Sequence, residues 1–260
     1  MPVVESAEGG PPMSQTVDRH AEEYRPGRLV EVLRPAGLQD APVLLLWHGS
    51  GPDERDALIP LAAAVAAFGP VVLVPDWRSD DPNVGADELL ASIEFTASNA
   101  CELGGDPSRV VLAGWSLGAN AAADIALHPD IAGGWHPTGV VGLGGGYDRT
   151  LFSRRRTERD PMAGDAVEGA GRPALLIHGT ADSLIPLDRS VFGADVLVEA
   201  GWRVDLVPVA TDHAGVIGTK YDRVRKRCVP SDEPARVAAL ASVAREVARL
   251  ALGEDRATQK

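Results

Sequence analysis

The chain has 260 residues, 45% of them hydrophobic, and a formal net charge of −12. That is enough apolar material for one globular core, while the charge argues against a nucleic-acid backbone or an anionic membrane as a partner. No apolar run reaches the roughly 20 residues needed to cross a bilayer, and residues 1–25 hold acids, prolines and glycines where a secretory leader has a basic start and an apolar stretch. A cytoplasmic location is expected.

In chain order, residues 1–27 are rich in Glu, Gly and Pro without a sustained period, and a poorly ordered lead-in is expected there. From residue 28 apolar runs and alanine-rich stretches alternate. Strands are predicted at 29–33 and 43–47, a helix at 57–68, a strand at 71–74, a helix at 87–103, a strand at 110–113 and a helix at 118–127. A strand at 140–143 is followed by residues 147–172, a stretch without period that is a candidate lid or surface excursion. A strand at 174–177, a helix at 187–200, a strand at 204–209 and a helix at 232–252 complete the domain, and residues 253–260 form a tail. Most of the strand runs are apolar on both faces, as in parallel sheets covered by helices. The expected fold is α/β, a doubly wound and mostly parallel sheet in one domain over 28–252, without a large cap domain.

Helix punctuation agrees with these boundaries. Gly69-Pro70, Gly104-Gly105, Pro129 and Gly201 follow predicted ends, and Asp232-Glu233-Pro234 suits the start of the last helix. The two cysteines, Cys101 and Cys228, lie outside any zinc-binding spacing and are expected at opposite edges of the sheet, hence unbridged.

The segment Gly114-Trp115-Ser116-Leu117-Gly118 lies between a strand and a helix. A serine on so sharp a turn needs small neighbours, and the helix that follows aims free N–H groups at developing negative charge. A serine hydroxyl is too weak an acid to attack an ester unaided, so a neutral imidazole must take its proton and a carboxylate must hold the tautomer. Asp182 follows the strand at 174–177, and His213 follows the strand at 204–209. Of the six histidines, His20 lies in the lead-in, His128 and His136 follow a helix, and His48 and His178 precede glycines at strand ends, where structural hydrogen bonds are expected. His213 is therefore the candidate base and Asp182 the candidate orienting acid. Asp212 is a rival, but a residue adjacent to the base rarely presents its carboxylate to that ring. Asp76 is expected to close its strand or cap the site.

The loop His48-Gly49-Ser50-Gly51 is the candidate oxyanion loop, with the backbone N–H of Leu117 joined by those of Ser50 and Gly51. Trp47 and Trp115 are candidate pocket walls, with core packing as the alternative. Asp53, Glu54 and Asp56 are read as charges near a helix N-terminus, not as a metal site. Arg154-Arg155-Arg156 is read as part of a self-neutralising loop with Glu158, Asp160 and Asp165, ahead of an anion clamp.

Together these segments resemble the α/β-hydrolase superfamily, in particular the small carboxylesterases and hormone-sensitive-lipase-like esterases, over about residues 28–252. In that family a His-Gly-Gly-Gly loop, a Gly-x-Ser-x-Gly elbow, a His-Gly-x-x-Asp segment and an Asp-His-Gly-like segment supply the site. Here they correspond to His48-Gly49-Ser50-Gly51, Gly114 to Gly118, His178-Gly179-Thr180-Ala181-Asp182 and Asp212-His213-Ala214; Val74-Pro75-Asp76-Trp77-Arg78 is similar to a further family segment. Ser50 stands where the family has glycine. The resemblance implies a serine-dependent hydrolase of small esters that needs no cofactor. Amide hydrolysis with the same residues is an alternative, a non-catalytic binding protein on the same fold is another, and a homo-oligomer is compatible with either.

Overall fold

A computed structural model describes residues 16–147 and 171–254. Eight strands form one sheet: β1 (Val17–Arg25), β2 (Arg28–Pro35), β3 (Ala41–Trp47), β4 (Val71–Pro75), β5 (Gly105–Trp115), β6 (Gly139–Leu143), β7 (Pro173–Gly179) and β8 (Arg203–Val209). Their spatial order is β1-β2-β4-β3-β5-β6-β7-β8. The pairs β1/β2 and β2/β4 are antiparallel, and every other neighbouring pair is parallel. The helices are α1 (Arg55–Ala66), α2 (Pro82–Asn99), α3 (Leu117–Leu127), α4 (Asp188–Glu199) and α5 (Pro234–Leu252).

Strand β3 shows why the sheet is covered on both sides. Val43, Leu45 and Trp47 pack into one core with Leu89 and Ile93 of α2 and Ala122 of α3. Leu44 and Leu46 face the other way, into a second core with Leu58 and Leu61 of α1 and Val243 and Val247 of α5. With successive side chains on opposite faces, an unbroken apolar run needs a helical layer on each. Each such leucine or valine contributes roughly 1.5–3 kcal/mol by leaving water.

The seven predicted strands and five predicted helices are all present, with ends shifted by a few residues. The lead-in expectation is corrected for residues 17–25, which form β1 and move the start of the sheet ahead of residue 28. Charge hides this strand in the sequence. Only Tyr24 is buried along it, because β1 is an edge strand turned to solvent, and charged residues are common on such edges. A small hairpin was also not expected: β9 (Thr219–Asp222) pairs antiparallel with β10 (Arg227–Pro230). The candidate lid falls mostly on residues 148–170, outside the described residues, as do Arg154, Arg155 and Arg156. Tyr147, at the start of that stretch, is fully buried. Cys101 and Cys228 are unbridged. Among the described residues no helix is long and apolar enough to cross a membrane, and no group of side chains has a metal-holding arrangement.

Parallel strands place all their carboxyl ends on one rim. The chain segments leaving β3, β5, β6, β7 and β8 therefore meet there, and these segments carry His48, Ser116, Gly144, Asp182 and His213.

Candidate active site

Ser116 sits between β5 and α3 with φ 56 and ψ −116, a conformation that side-chain-bearing residues avoid. Two glycines permit the turn. A Cβ on Gly114 would overlap the backbone of Gly118, and one on Gly118 would come within 2.6 Å of the His48 carbonyl oxygen and closer still to that of Trp47. Strand, helix and the candidate oxyanion loop thus meet at van der Waals limits. The Ser116 N–H donates to the Leu143 carbonyl at 2.8 Å, which ties the turn to the end of β6.

His213 and Asp182 meet from two different strand ends. The ring Nδ1 lies 2.6 Å from Asp182 Oδ2, so the network assigns the proton to Nδ1 and leaves Nε2 with its lone pair. The other carboxylate oxygen accepts from the N–H groups of Leu184 and Ile185, both at 2.9 Å. Burial disfavours the Asp182 carboxylate, but the hydrogen bond from His213 and those backbone donors outweigh it and hold the group below its ordinary range. Trp115 holds the histidine from a further side: its Nε1–H donates to the His213 carbonyl at 3.0 Å, and its ring lies 5.1 Å from the imidazole at 37°. Ser116 and His213 line the same cavity. Among the described residues the Ser116 hydroxyl makes no hydrogen bond to the ring, a contact that in unliganded sites often tightens only around substrate.

The other histidines at strand ends have both ring nitrogens occupied. His178, fully buried, pairs through Nδ1 with the Ser190 hydroxyl at 2.7 Å and through Nε2 with the Ile185 carbonyl at 2.8 Å. It braces the Asp182 loop. His48 donates from Nδ1 to the Gly49 carbonyl at 2.8 Å, and its Nε2 accepts from the N–H groups of Trp77 at 3.3 Å and Glu54 at 3.4 Å. Burial lowers its pKa to about 4, which keeps the ring neutral. It fastens the loop at residues 48–51 to the segment after β4. Asp212 is engaged elsewhere: Arg236 grips both its oxygens at 2.6 Å, and this pairing holds its pKa low. Asp76 accepts from the Leu29 N–H at 3.2 Å and pairs with Arg55 at 3.1 Å, closing β4 onto β2 as expected.

The candidate oxyanion loop lies against the serine, and a Cβ on Gly49 would sit 3.1 Å from the Ser116 Cβ. Leu117 and Ser50 line a cavity of about 320 Å³ with Ser116, Asn120 and Gly146. Two assignments from sequence are corrected here. The Gly51 N–H donates to the Ser79 hydroxyl at 2.5 Å, so it is spent within the loop and is not free for an oxyanion. Trp47 is fully buried and its Nε1–H donates to Ser92 of α2 at 3.1 Å, which makes it core and not pocket wall. Trp115 does line a cavity, the one of about 300 Å³ that also holds His213.

Several residues of the site carried no signal in the sequence. The Ser79 hydroxyl, besides accepting from Gly51, lies 2.8 Å from the Gly51 carbonyl and 3.2 Å from that of Gly49. Asn120 on α3 accepts from the N–H groups of Gly146 at 3.0 Å and Tyr147 at 2.9 Å, shaping the floor of the first cavity. Tyr221, Lys226, Arg227 and Cys228, on and beside the unexpected hairpin, wall the second.

A family model described as the alpha/beta hydrolase fold matches residues 55–203. A carboxylesterase of Mycobacterium tuberculosis, NlhH, is 34% identical over 129 residues, covering 44% of this chain and 40% of that protein. An isoprenylcysteine alpha-carbonyl methylesterase of Arabidopsis thaliana is 29% identical over 176 residues, covering 53% of this chain and 41% of the other. The chain thus matches about two fifths of the length of these relatives. Among solved structures, esterase 2 of Thermogutta terrifontis superposes with a TM-score of 0.66 at 19% identity, over 90% of this chain and 95% of that one. A thermostable esterase of Pseudomonas putida gives 0.67 at 20% identity, over 90% and 83%. At these identities the likeness is one of fold.

Proposed function

The chain belongs to the family of the alpha/beta hydrolase fold, and from that membership we propose that it is a serine hydrolase cleaving a small carboxylic ester through an acyl-Ser116 intermediate. The observation that carries the reading is the convergence of three side chains. Asp182 bonds to one nitrogen of His213, and the ring's edge shares a cavity with a serine held at φ 56. A neutral imidazole with its tautomer fixed from behind is what a serine needs to become a nucleophile.

In the proposed reaction His213 Nε2 takes the hydroxyl proton as Ser116 Oγ bonds to the acyl carbon. The negative charge on the former carbonyl oxygen falls to the N–H groups of Leu117 and Ser50, a contribution of about 3 kcal/mol per well-placed donor. The bond from acyl carbon to alkoxy oxygen then breaks, and the proton on His213 passes to the leaving alcohol. Water repeats the sequence: it gives a proton to His213, adds to the acyl carbon, and the Ser116 oxygen departs with that proton. No step calls for a cofactor. The relatives' names, carboxylesterase and methylesterase, favour an ester over an amide as substrate. A cytoplasmic setting is part of the proposal, supported by two unbridged cysteines.

Fluorophosphonate labelling followed by peptide mapping tests it. Modification at Ser116, its loss in Ser116→Ala, and release of p-nitrophenol from short-chain esters are expected. An unlabelled protein, or one whose esterase activity survives Ser116→Ala, overturns it.

A further inference from the structure

Ser116 stands between two cavities whose walls differ in character. One holds Leu117, Asn120 and Gly146 beside the oxyanion loop; the other holds His213 and Trp115 and is walled on its outer side by Tyr221, Lys226, Arg227 and Cys228. Because the imidazole must deliver its proton to the departing oxygen, the alcohol portion of an ester lies on the His213 side and the acyl portion on the other. The hairpin therefore faces the leaving group.

The charge of that hairpin runs against the rest of the molecule. Residues 222–227 read Asp-Arg-Val-Arg-Lys-Arg in a chain whose net charge is −12. Most of these charges are already engaged. Arg225 pairs with Asp222 at 2.8 Å, and Arg227 lies 3.4 Å from Asp56 and 4.0 Å from Glu54, the carboxylate on the same cavity wall. Lys226 differs. It lines the cavity, which Arg223 does not, and like Arg223 it makes no ion pair among the described residues. Its φ of 53 is set by the turn between β9 and β10, which fixes where its side chain leaves the backbone. The hairpin is in turn anchored to the histidine loop, since Arg236 donates to the Thr219 carbonyl at 2.8 Å while gripping Asp212. An uncompensated ammonium at the mouth of a site on an acidic protein gives an anion a local attraction that the global field denies it.

We propose that Lys226 selects esters whose alcohol portion carries a negatively charged group, a carboxylate or a phosphonate-like anion, seated against the β9–β10 hairpin. The inference rests on the hydrolase reading above and adds to it the chemistry of the leaving group.

The test compares 4-acetoxyphenylacetate with its uncharged primary amide, which differ in charge at a position remote from the reacting bond, and adds 4-acetoxybenzylphosphonate as a second anion. The wild-type protein should prefer the anionic esters in kcat/KM, chiefly through KM, and the preference should shrink with added salt. Lys226→Gln should cut the ratio of anionic to neutral kcat/KM by roughly three- to fivefold, the range of a single solvent-exposed ion pair, and Lys226→Glu should invert it. Arg223→Gln removes a charge from the same hairpin away from the cavity wall and should leave the ratio standing. A preference for the phosphonate over the carboxylate assigns a doubly charged group. A wild-type ratio near one, or equal losses in Lys226→Gln and Arg223→Gln, overturns the proposal while the neutral ester is still cleaved at Ser116. Failure to cleave either ester, with no label at Ser116, removes the hydrolase reading and this inference with it.

Discussion

Arg236 closes on both carboxylate oxygens of Asp212 at 2.6 Å, and so takes the carboxylate next to the candidate base out of competition for its ring. The same guanidinium reaches the Thr219 carbonyl, so one side chain of α5 holds the histidine loop and the following hairpin together. Asp212 and Asp182 are thus two carboxylates with different tasks. Asp182→Asn should lower kcat by about 10³–10⁴ with little change in KM, because an amide no longer fixes the imidazole tautomer. Asp212→Asn should cost less than about 1 kcal/mol of stability, given its exposure to solvent, and under tenfold in kcat. Steady-state kinetics and thermal melts of both variants check this, and the idea fails if Asp212→Asn is the more damaging to kcat.

Gly114 and Gly118 should tolerate no side chain. The methyl of Gly114→Ala would meet the Gly118 backbone, and that of Gly118→Ala would meet the carbonyls of Trp47 and His48. Backbone cannot give way as a side-chain tip can, so a loss of about 3 kcal/mol or more is expected for either. Denaturant unfolding measures it. A midpoint like that of the wild type would mean that strand and helix are less closely apposed than described.

Ser79 should matter to turnover although it lies outside the cavities. Its hydroxyl accepts from the Gly51 N–H and lies near the carbonyls of Gly49 and Gly51, so it sets the path of the loop that carries Ser50, the proposed oxyanion donor. Ser79→Ala should lower kcat by roughly tenfold with a smaller effect on KM, as expected for a donor moved away from a charge that forms only in the transition state. Ser79→Thr, which keeps the hydroxyl, should recover most of it. A KM effect with unchanged kcat would place Ser79 in ground-state binding.

The buried His48 gives the fold a specific acid sensitivity. Its pKa falls from 6.5 to about 4 on folding, mainly by burial, so between these values the unfolded chain binds more protons than the folded one. By linkage, its contribution is fully present above pH 6.5 and is lost progressively as pH falls toward about 4, on the order of 3 kcal/mol in all. The carboxylates of Asp182 and Asp212, depressed in the folded state, add their losses only below the ordinary carboxylate pKa of about 4. Urea unfolding from pH 7.5 to 4 should show the upper slope in the wild type and a flatter one in His48→Gln. Equal slopes would assign the sensitivity to another group.

What the sequence revealed follows from which physical signals are local. Strands covered on both faces announce themselves by apolar runs, and the glycines around Ser116 by their spacing, so the sheet and the elbow were legible. Trp47 is core although its place beside the His48 loop suggests a pocket wall. Its phase with Val43 and Leu45 along β3 points it into the core with α2, as the alternation of a strand requires. β1 was missed because a solvent-facing edge strand, held mainly by backbone pairing to β2, leaves no apolar pattern. Gly51 was misplaced because the residue that captures its N–H, Ser79, is 28 positions away. A hydrogen bond over that distance leaves no trace in local composition.

The backbone at position 116 also has an evolutionary consequence. Glycine occupies φ 56 without steric cost, so Ser116→Gly should abolish turnover and yet melt higher, by an amount on the order of 1 kcal/mol. Selection for heat tolerance alone would favour that inert replacement. Under the proposed hydrolysis, a serine here marks a point where robustness has been given up for turnover, and thermostabilising redesign must leave this position out of its search.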